Sequence, residues 1–361
     1  MIEEVRGNML DADVEAAVNT VNTVGVMGKG VALQFKQAFP QNYRAYKAAC
    51  ASGEVQLGRM FVHDNGRLDN PRYIINFPTK DHWRSKSRLE DIERGLGDLV
   101  QVIREYEITS IAIPALGCGN GGLSWESVRP IIIKALSPLE DVTVKLFPPG
   151  GAPTPAAMRI ATSSPNMTRG RAALLELMHR YMGIVQAENF VAPDGVSLLE
   201  IQKLTYLLQV WGENLKLKFE QGRYGPYAEN LNHVLQRIEG HYLRGYGDRS
   251  EQVLKLRPIR LMPDAASTAQ GWIDDNAPGL REGFAKIEGL IFGFASPYGL
   301  ELLATVHWIA TQPHGHSTLV IDDVVVGVQA WNKRKQELFT PAHIRRAYNQ
   351  LVQYGWLEKP Q

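Results

Sequence analysis

Predicted strands and helices alternate along the first 147 residues, and this alternation is the strongest constraint on the fold. Short apolar runs such as AAVNTVN and RYIINFP read as strands, whereas SRLEDIERGLGDLVQVIREYE has its apolar residues at helical spacing and follows Ser87, a candidate N-cap. Alternating α and β predicts a mostly parallel sheet with helices on both faces. We predict strands at 2–7, 16–22, 59–64, 72–78, 110–116 and 142–148, and helices at 30–51, 87–107 and 124–140.

The alternating strands and helices end at a segment that is rich in proline, glycine, serine and threonine and has no hydrophobic periodicity. After this segment the predicted elements are helices. We therefore predict an α/β domain at 1–150, a flexible linker at 151–168 and a mainly α-helical domain at 169–361. Within that domain, helices are predicted at 171–186, 197–215, 228–246, 281–294, 299–310, 324–339 and 341–357.

Composition excludes several classes of protein. The 361 residues include 39 Lys or Arg and 38 Asp or Glu, balanced in both halves, so a broad basic surface that coats nucleic acid is not expected. Two cysteines fit a reducing compartment and need no disulfide. The N-terminus lacks a signal-peptide pattern, and the longest apolar region, 289–310, is interrupted by Pro297, Glu301 and His307. We expect a cytoplasmic protein without a membrane span.

The stretch GVMGKGVALQFKQAFP, which begins at Gly25, combines three glycines with a following amphipathic helix. Glycine permits positive φ and close approach of backbone N–H groups to a ligand, and a helix N-terminus carries partial positive charge. Such a loop is either an anion site, most often for phosphate, or an ordinary tight turn. Its spacing matches neither the P-loop nor the dinucleotide fingerprint.

A second loop, IPALGCGNGGLSW, has the same build: a buried-type strand, four glycines and a helix starting near Ser124. In a parallel sheet both loops follow the carboxyl ends of strands and lie on the same edge. Two facing anion-binding loops predict a slot for a diphosphate.

Four motifs in the order RGNML, MGKGVALQFKQAFP, INFPTKDHWRSKSRLEDI and GCGNGGLSWESV resemble the macrodomain family, which binds ADP-ribose through two such loops. More narrowly they resemble the branch that holds the human terminal ADP-ribose glycohydrolase and the DarG antitoxins. The resemblance covers residues 1–147. It implies a three-layer α/β/α macrodomain that removes ADP-ribose from a DNA base, followed by a domain that binds a cognate DarT-like toxin. No cofactor or metal is expected.

The resemblance also implies which residues hold the ligand. The first motif holds the adenine end, although Asn8 stands where relatives often have an acidic residue, and Phe147 either stacks on the base or is an edge residue of the core. The loops would grip the phosphates and distal ribose through backbone amides. The implied ligand-binding residues are Asn8, Met9, Asn22, Gly25, Met27, Gly28, Lys29, Gly30, Gly117, Cys118, Gly119, Asn120, Gly121, Gly122 and Phe147.

Lys80, just past the strand YIINFPT, is the catalytic lysine that the resemblance implies. An amine attacks an anomeric carbon only when neutral, and at a pKa of ~10.4 fewer than about one lysine in a thousand is neutral at pH 7. Burial and neighbouring cations such as Arg84, Lys86 or Lys29 would lower the pKa. The alternative is an ordinary solvated charge.

The chain departs from the human relative at Gly121, where that protein has an aspartate. No acid therefore stands at this position of the second loop to assist proton transfer. Either Lys80 works without it, or a group such as Asp81, His82 or the substrate itself serves instead.

Three other patterns are weaker. Cys118 lies between glycines, but Leu116 breaks the nucleophile-elbow spacing, so a small loop residue is the better interpretation. His314 and His316 lack further ligands at metal-binding spacing, and 332–337, NKRKQE, is typical of the solvated face of a helix.

Two functions compete at this stage. One is a DNA ADP-ribosyl glycohydrolase, acting on thymidine in single strands, with Lys80 as the nucleophile. The other is a non-catalytic reader that binds ADP-ribose in the same pocket.

Overall fold

The computed structural model describes residues 1–66, 69–151, 153–248, 258–311 and 320–358. The chain forms two compact units, one of Met1–Ser163 with Gly247–Ser250 and the other of Ser164–Tyr246 with Glu251–Gln361. The first unit is α/β and the second is mainly helical, which confirms the predicted fold classes.

The first unit is built on a six-stranded sheet. Neighbouring strands follow the order β1-β6-β5-β2-β4-β3, and all pairs are parallel except β3 with β4, which is antiparallel. A mixed, mostly parallel sheet was predicted and is confirmed. The strands are β1 (Ile2–Glu4), β2 (Ala16–Asn22), β3 (Phe61–Asp64), β4 (Tyr73–Lys80), β5 (Ser110–Pro114) and β6 (Thr143–Phe147).

Helices cover both faces of this sheet. On one face Ile75 packs with residues of two helices, and on the other its neighbour Ile74 packs with Phe35, because successive strand residues point to opposite faces. The strand residues are almost fully buried, as the apolar run of β4 predicts for an internal strand. The helices are α1 (Gly30–Ala38), α2 (Pro40–Ala51), α3 (Leu89–Glu105) and α4 (Trp125–Leu136).

Two local predictions in this unit are wrong. The helix predicted at 30–51 is two helices, since Pro40 lacks an N–H and its ring cannot continue α1; it instead starts α2 after Phe39. The N-cap of α3 is Arg88 and not Ser87, whose buried hydroxyl has no hydrogen-bond partner within the described structure.

Part of the segment predicted as a linker packs on the first unit. Met158 is buried, and the Ala161 N–H donates to the Gln37 carbonyl over 2.8 Å. Residues up to Ser163 thus belong to this unit, and the rest of the predicted linker, from Ser164, belongs to the second unit.

The second unit is a helical assembly with two small strand pairs. Its helices are α5 (Arg169–Asn189), α6 (Leu198–Trp211), α7 (Leu231–Ile238), α8 (Ala265–Asn276), α9 (Leu280–Ile291), α10 (Pro297–Thr311), α11 (Ile321–Ala330), α12 (Lys333–Leu338) and α13 (Pro341–Gln353). The antiparallel pairs are β7 (Phe219–Gly222) with β8 (Gly225–Ala228), and β9 (Leu243–Arg244) with β10 (Arg260–Leu261).

Three features of this unit differ from the predictions. Helix α8 and the strands were not predicted, and the helix predicted at 228–246 ends at Ile238, shortly before Gly240 adopts a positive φ of 77°. The helix predicted at 324–339 is divided into α11 and α12, because the Asn332 side chain accepts the Lys335 N–H as a new N-cap.

Lys335 contradicts the prediction that 332–337 is a solvated helix face. Its side chain is 0% exposed, and its ammonium donates to Glu301 at 2.7 Å and to Thr305 at 3.1 Å. Arg334 binds the same carboxylate through two nitrogens. The buried charge of Glu301 is thus paired twice, which a surface-helix pattern cannot reveal.

None of the helices within the described ranges combines the length and the apolar composition needed to cross a membrane.

Two glycines of α3 provide a matched test of the packing between α3 and β4. A Cβ on Gly95 would lie 2.4 Å from Cζ of Phe77, whereas a Cβ on Gly97 meets nothing within 4 Å. We expect Gly95→Ala to lower the free energy of unfolding by about 1–3 kcal/mol through overpacking. Gly97→Ala should raise it by about 0.5–1 kcal/mol through helix propensity.

Chemical denaturation of the full chain, followed by circular dichroism, measures both changes. A Gly95→Ala variant as stable as Gly97→Ala would show that the close approach of α3 to Phe77 is not a constraint.

Candidate active site

The predicted site residues lie at one edge of the sheet. Strand β2 pairs in parallel with both β4 and β5, so the carboxyl ends of all three strands meet there. A shift of register after Val21 places Asn22 opposite Lys80. The loop of residues 23–29 follows β2, and the loop of residues 115–124 follows β5. The structure therefore brings the first loop, the second loop and the lysine together, as predicted.

Asn22 shapes the first loop from within. Its side-chain oxygen accepts the N–H groups of Val24 and Val26 at 3.1 and 3.2 Å, and its amide donates to the Val26 carbonyl at 2.6 Å. With these bonds made and only 4% of the residue exposed, Asn22 supports the loop rather than offering its amide to a sugar. Met27 is likewise 1% exposed in the core below the loop, so its side chain does not face a ligand.

Two of the three glycines of the first loop, but not Gly28, adopt the positive φ that glycine permits. Gly25 has a φ of 78° and Gly30 a φ of 59°, both in the region that L residues avoid. The Gly30 N–H already donates to the carbonyl of Asp248, a residue of the first unit, at 2.9 Å, and Asp248 also accepts from Gln34 at 2.7 Å. That amide is therefore engaged in this structure, and Lys29 beside it is exposed.

The second loop offers the stronger anion cradle. Gly117 and Gly122 have φ of 70° and 80°, and the Leu123 N–H closes the loop onto the Gly117 carbonyl at 3.1 Å. Within the described structure, the three consecutive N–H groups of residues 119–121 donate to no protein acceptor. Consecutive unpaired N–H groups before a helix N-terminus bind anions, and α4 begins directly after Ser124.

The two loops approach each other closely. A Cβ built on Gly30 would lie 3.4 Å from the side-chain nitrogen of Asn120. The carbonyl of Asn120 in turn accepts a hydrogen bond from Lys80. The two loops and Lys80 are thus neighbours at this edge of the sheet, as the predicted diphosphate slot requires.

Close packing explains the glycine at position 121. A Cβ there would lie 2.3 Å from the Ser87 hydroxyl and 2.4 Å from the Gly117 carbonyl, so this loop conformation admits no side chain. An acid at this position would require a different loop. Asp81 does not replace it as a proton donor, because hydrogen bonds from Ser85 and from the His82 N–H hold the pKa of Asp81 below its usual value and keep the carboxylate ionised.

Lys80 is the last residue of β4, and its ammonium is held between two carbonyl groups. Nζ lies 3.1 Å from the carbonyl oxygen of Trp83 and 3.1 Å from that of Asn120. Burial lowers the pKa of the amine below its ordinary value of 10.5. The predicted direction of the shift is therefore found, and its cause is desolvation rather than a neighbouring cation.

The first motif places polar and apolar groups at the proposed adenine end. The Asn8 side-chain oxygen accepts the Leu10 N–H at 3.2 Å, which leaves its buried amide nitrogen without a partner in the described structure. Asn8 thus presents a hydrogen-bond donor at this position. Met9 and Phe147 are 8% and 7% exposed in one apolar cluster, which favours the core-edge interpretation of Phe147.

The competing patterns find no support. The pKa of the Cys118 thiol is raised to about 11, chiefly by burial, so the thiol stays protonated at neutral pH. His314 and His316 lie outside the described residues. Among the residues that are described, no cluster of three metal-ligating side chains occurs.

The sequence analysis missed the polar support below the first loop. Asn19 and Asn76 are register partners on β2 and β4, and their side chains bond at 3.0 Å; Asn76 also donates to Asn42 at 2.7 Å. All three residues are 0% exposed. The signal was present, since Asn19 and Asn76 each stand among apolar residues within a strand, and a buried amide needs a partner.

Similarity to known proteins identifies the family to which this chain belongs. Residues 18–132 match the model of the Macro domain family. The chain is 46% identical over 366 aligned positions to the "DNA ADP-ribosyl glycohydrolase" of Thermus aquaticus, with 100% of this chain and 97% of the relative covered. The chain belongs to the DNA ADP-ribosyl glycohydrolase family, whose members are hydrolases.

Two further relatives cover part of the chain. The solved "Macrodomain of Mycobacterium tuberculosis DarG" is 55% identical, covers 42% of this chain and 99% of its own, and has a TM-score of 0.41. The "DNA ADP-ribosyl transferase-DNA ADP-ribosyl glycohydrolase fusion protein" of Thermosipho africanus is 35% identical over 160 residues, 40% of this chain and 41% of its own length.

The lowered pKa of Lys80 can be measured without a substrate. Neutral amines react with acetic anhydride and ammonium ions do not, so the rate of acetylation reports the neutral fraction. Because burial lowers the pKa, we expect the midpoint for Lys80 at a lower pH than that of Nα-acetyl-lysine amide. Competitive acetylation between pH 7 and 11, quantified by peptide mass spectrometry, gives both midpoints. A Lys80 midpoint at or above that of the free compound would contradict the structure.

Proposed function

We propose that this member of the family removes ADP-ribose from a DNA base, thymidine in single-stranded DNA, and that Lys80 is its nucleophile. The observation that carries the proposal is the position of the Lys80 amine, within hydrogen-bonding distance of the second loop, whose three N–H groups are free to bind phosphate. Thymidine is the base that the macrodomain resemblance implies.

The geometry supports a two-step substitution. With the diphosphate held by the loops, C1″ of the distal ribose would lie at Lys80. The neutral amine forms an Nζ–C1″ bond while the bond from C1″ to the base nitrogen breaks, and the base leaves with the bonding electrons and takes up a proton. Water then attacks C1″, the Nζ–C1″ bond breaks, and ADP-ribose and free Lys80 are regenerated.

Ionised Asp81 is suited to assist the second step. As a carboxylate it accepts a proton, so it would serve as a base toward the attacking water rather than as an acid toward the leaving group. The proton that the leaving base needs would then come from solvent or from the amine after attack.

Single-stranded DNA is favoured because the reacting nitrogen of a base is inaccessible inside a duplex. An enzyme that acts on a paired base must first extrude it, which costs a few kcal/mol, whereas a single-stranded base needs no such step.

Removal of the Lys80 amine tests the catalytic proposal. We expect Lys80→Ala to lower kcat/KM for release of ADP-ribose from an ADP-ribosylated single-stranded oligonucleotide by about a thousandfold or more, since the nucleophile is lost. Release is measured by gel shift or mass spectrometry, with ADP-ribose affinity by calorimetry as a check on the fold of the site. Equal release by variant and wild type would exclude Lys80 as nucleophile. Binding of ADP-ribose without release by the wild type would favour the reader function.

We further propose that the second unit binds a cognate DNA ADP-ribosyltransferase and thereby neutralises it. The Thermosipho relative carries transferase and glycohydrolase names in one chain, which links the two activities. The second unit also exposes large apolar side chains at the ends of α5 and α9. Phe190 is 92% exposed and Phe292 64%, and a 2.6 Å hydrogen bond from the Gly293 N–H to Glu188 joins the two helix ends. Such exposed apolar groups are typical of protein interaction sites.

The two proposed activities should separate by mutation. Because Lys80 and Phe190 belong to different units, we expect full-length Lys80→Ala to inhibit the transferase as well as the wild type does, without reversing the modification. Phe190→Asp should weaken inhibition about tenfold or more and keep hydrolysis. Initial rates of oligonucleotide modification by the co-purified transferase, titrated with each variant, provide the measurement. Transferase inhibition that disappears together with hydrolysis in Lys80→Ala would contradict a separate toxin-binding unit.

A further inference from the structure

An exposed tryptophan stands next to the catalytic amine without a role in the chemistry above. Trp83 is 45% exposed, although tryptophan is mostly buried in folded proteins. Its carbonyl oxygen accepts the hydrogen bond from Lys80 Nζ at 3.1 Å, which fixes the chain at this point beside the amine. The backbone that carries this exposed ring therefore lies next to the Lys80 amine.

Cationic and aromatic groups accompany this ring. The guanidinium carbon of Arg84 lies 4.5 Å from the ring centroid, and the His82 ring centroid lies 5.3 Å away at an interplanar angle of 33°. Arg84 and Lys86 are both exposed. This combination of an exposed indole with stacked and adjacent cations is how proteins bind single-stranded nucleic acid without reading its sequence.

The local charge differs from that of the whole chain. The protein carries a net charge of +1, but between residues 80 and 88 Asp81 is the one acidic residue beside Lys80, Arg84, Lys86 and Arg88. Arg88 is paired with Asp91 at 2.9 Å and so is partly neutralised. Apart from Lys80 itself, Arg84 and Lys86 are the cations nearest to Trp83 in the sequence.

We propose that Trp83, Arg84 and Lys86 form a subsite for the single-stranded DNA that flanks the modified nucleotide. Trp83 stacks on a neighbouring nucleobase, and Arg84 and Lys86 bind the adjoining phosphates. This inference rests on the proposed function, because the strand attached to the base at C1″ must leave the site past Lys80. The subsite deepens that function: it favours a modified nucleotide within a strand over an isolated modified nucleoside.

Two substrates distinguish the subsite from the catalytic centre. One is an ADP-ribosylated single-stranded oligonucleotide, and the other is ADP-ribosyl-thymidine, which has no flanking nucleotides. We expect Trp83→Ala to lower kcat/KM for the oligonucleotide about tenfold more than for the nucleoside, since base–aromatic stacking contributes about 1–3 kcal/mol per base. Trp83→Phe keeps an aromatic face and should recover most of the loss. The backbone carbonyl that binds Lys80 is present in both variants.

Salt dependence tests the phosphate contacts. Each phosphate contact to single-stranded DNA contributes about 0.7 to the slope of log K against log salt, so Arg84→Ala should flatten that slope by about this amount for the oligonucleotide. Lys134→Ala is the matched control, because Lys134 is an exposed cation near the far end of α4. It should leave both the slope and the activity at their wild-type values.

The outcomes separate the alternatives. Equal losses on both substrates would mean that Trp83 only positions Lys80, and no loss on either would mean that the ring contacts nothing; both overturn the subsite. If the wild type releases ADP-ribose from neither substrate, the proposed hydrolysis fails, and binding of an unmodified single-stranded oligonucleotide by fluorescence anisotropy then decides the subsite separately. Weaker binding by Trp83→Ala and Arg84→Ala than by Lys134→Ala supports it, and equal binding overturns it.

Discussion

The parallel pairing of β2 with both β4 and β5 is the constraint on which the site depends. It brings the carboxyl ends of three strands to one edge of the sheet. The two glycine loops and Lys80, which lie at these strand ends, are therefore brought together. The buried amides of Asn19 and Asn76, bonded across this pairing, fix the register of β2 against β4 in an otherwise apolar sheet. A slip by one residue would reverse the faces of β2 and move Asn22 away from Lys80.

Backbone groups and side chains have different roles at the proposed site. Backbone carbonyls of Trp83 and Asn120 accept hydrogen bonds from the Lys80 amine, and backbone N–H groups of the second loop form the proposed anion cradle. Side chains such as Asn22 and the tightly packed Ser87 shape the loops from behind. This close packing explains why position 121 is a glycine.

The two proposed activities fall in different units. Every residue of the proposed hydrolytic site lies in the first unit, whereas the proposed toxin-binding surface is in the second. The buried Glu301, with its two cationic partners, stabilises the interior of the second unit and lies outside the proposed toxin-binding surface.

In the first unit, the sequence by itself determined the order of the strands and helical segments, both glycine loops and the position of Lys80 at a strand end, because hydrophobic periodicity and glycine conformation are local properties. Prediction from local sequence was wrong about the single helix across Pro40, the N-cap of α3 and the continuous helix across the break before α12. At these places neighbouring residues decided where a helix begins or ends. Only the tertiary structure decided that Met27 and Lys335 are buried, that Asp248 reaches Gly30, and that burial lowers the pKa of Lys80. Each of these depends on contacts between residues distant in the chain, and no local pattern encodes them.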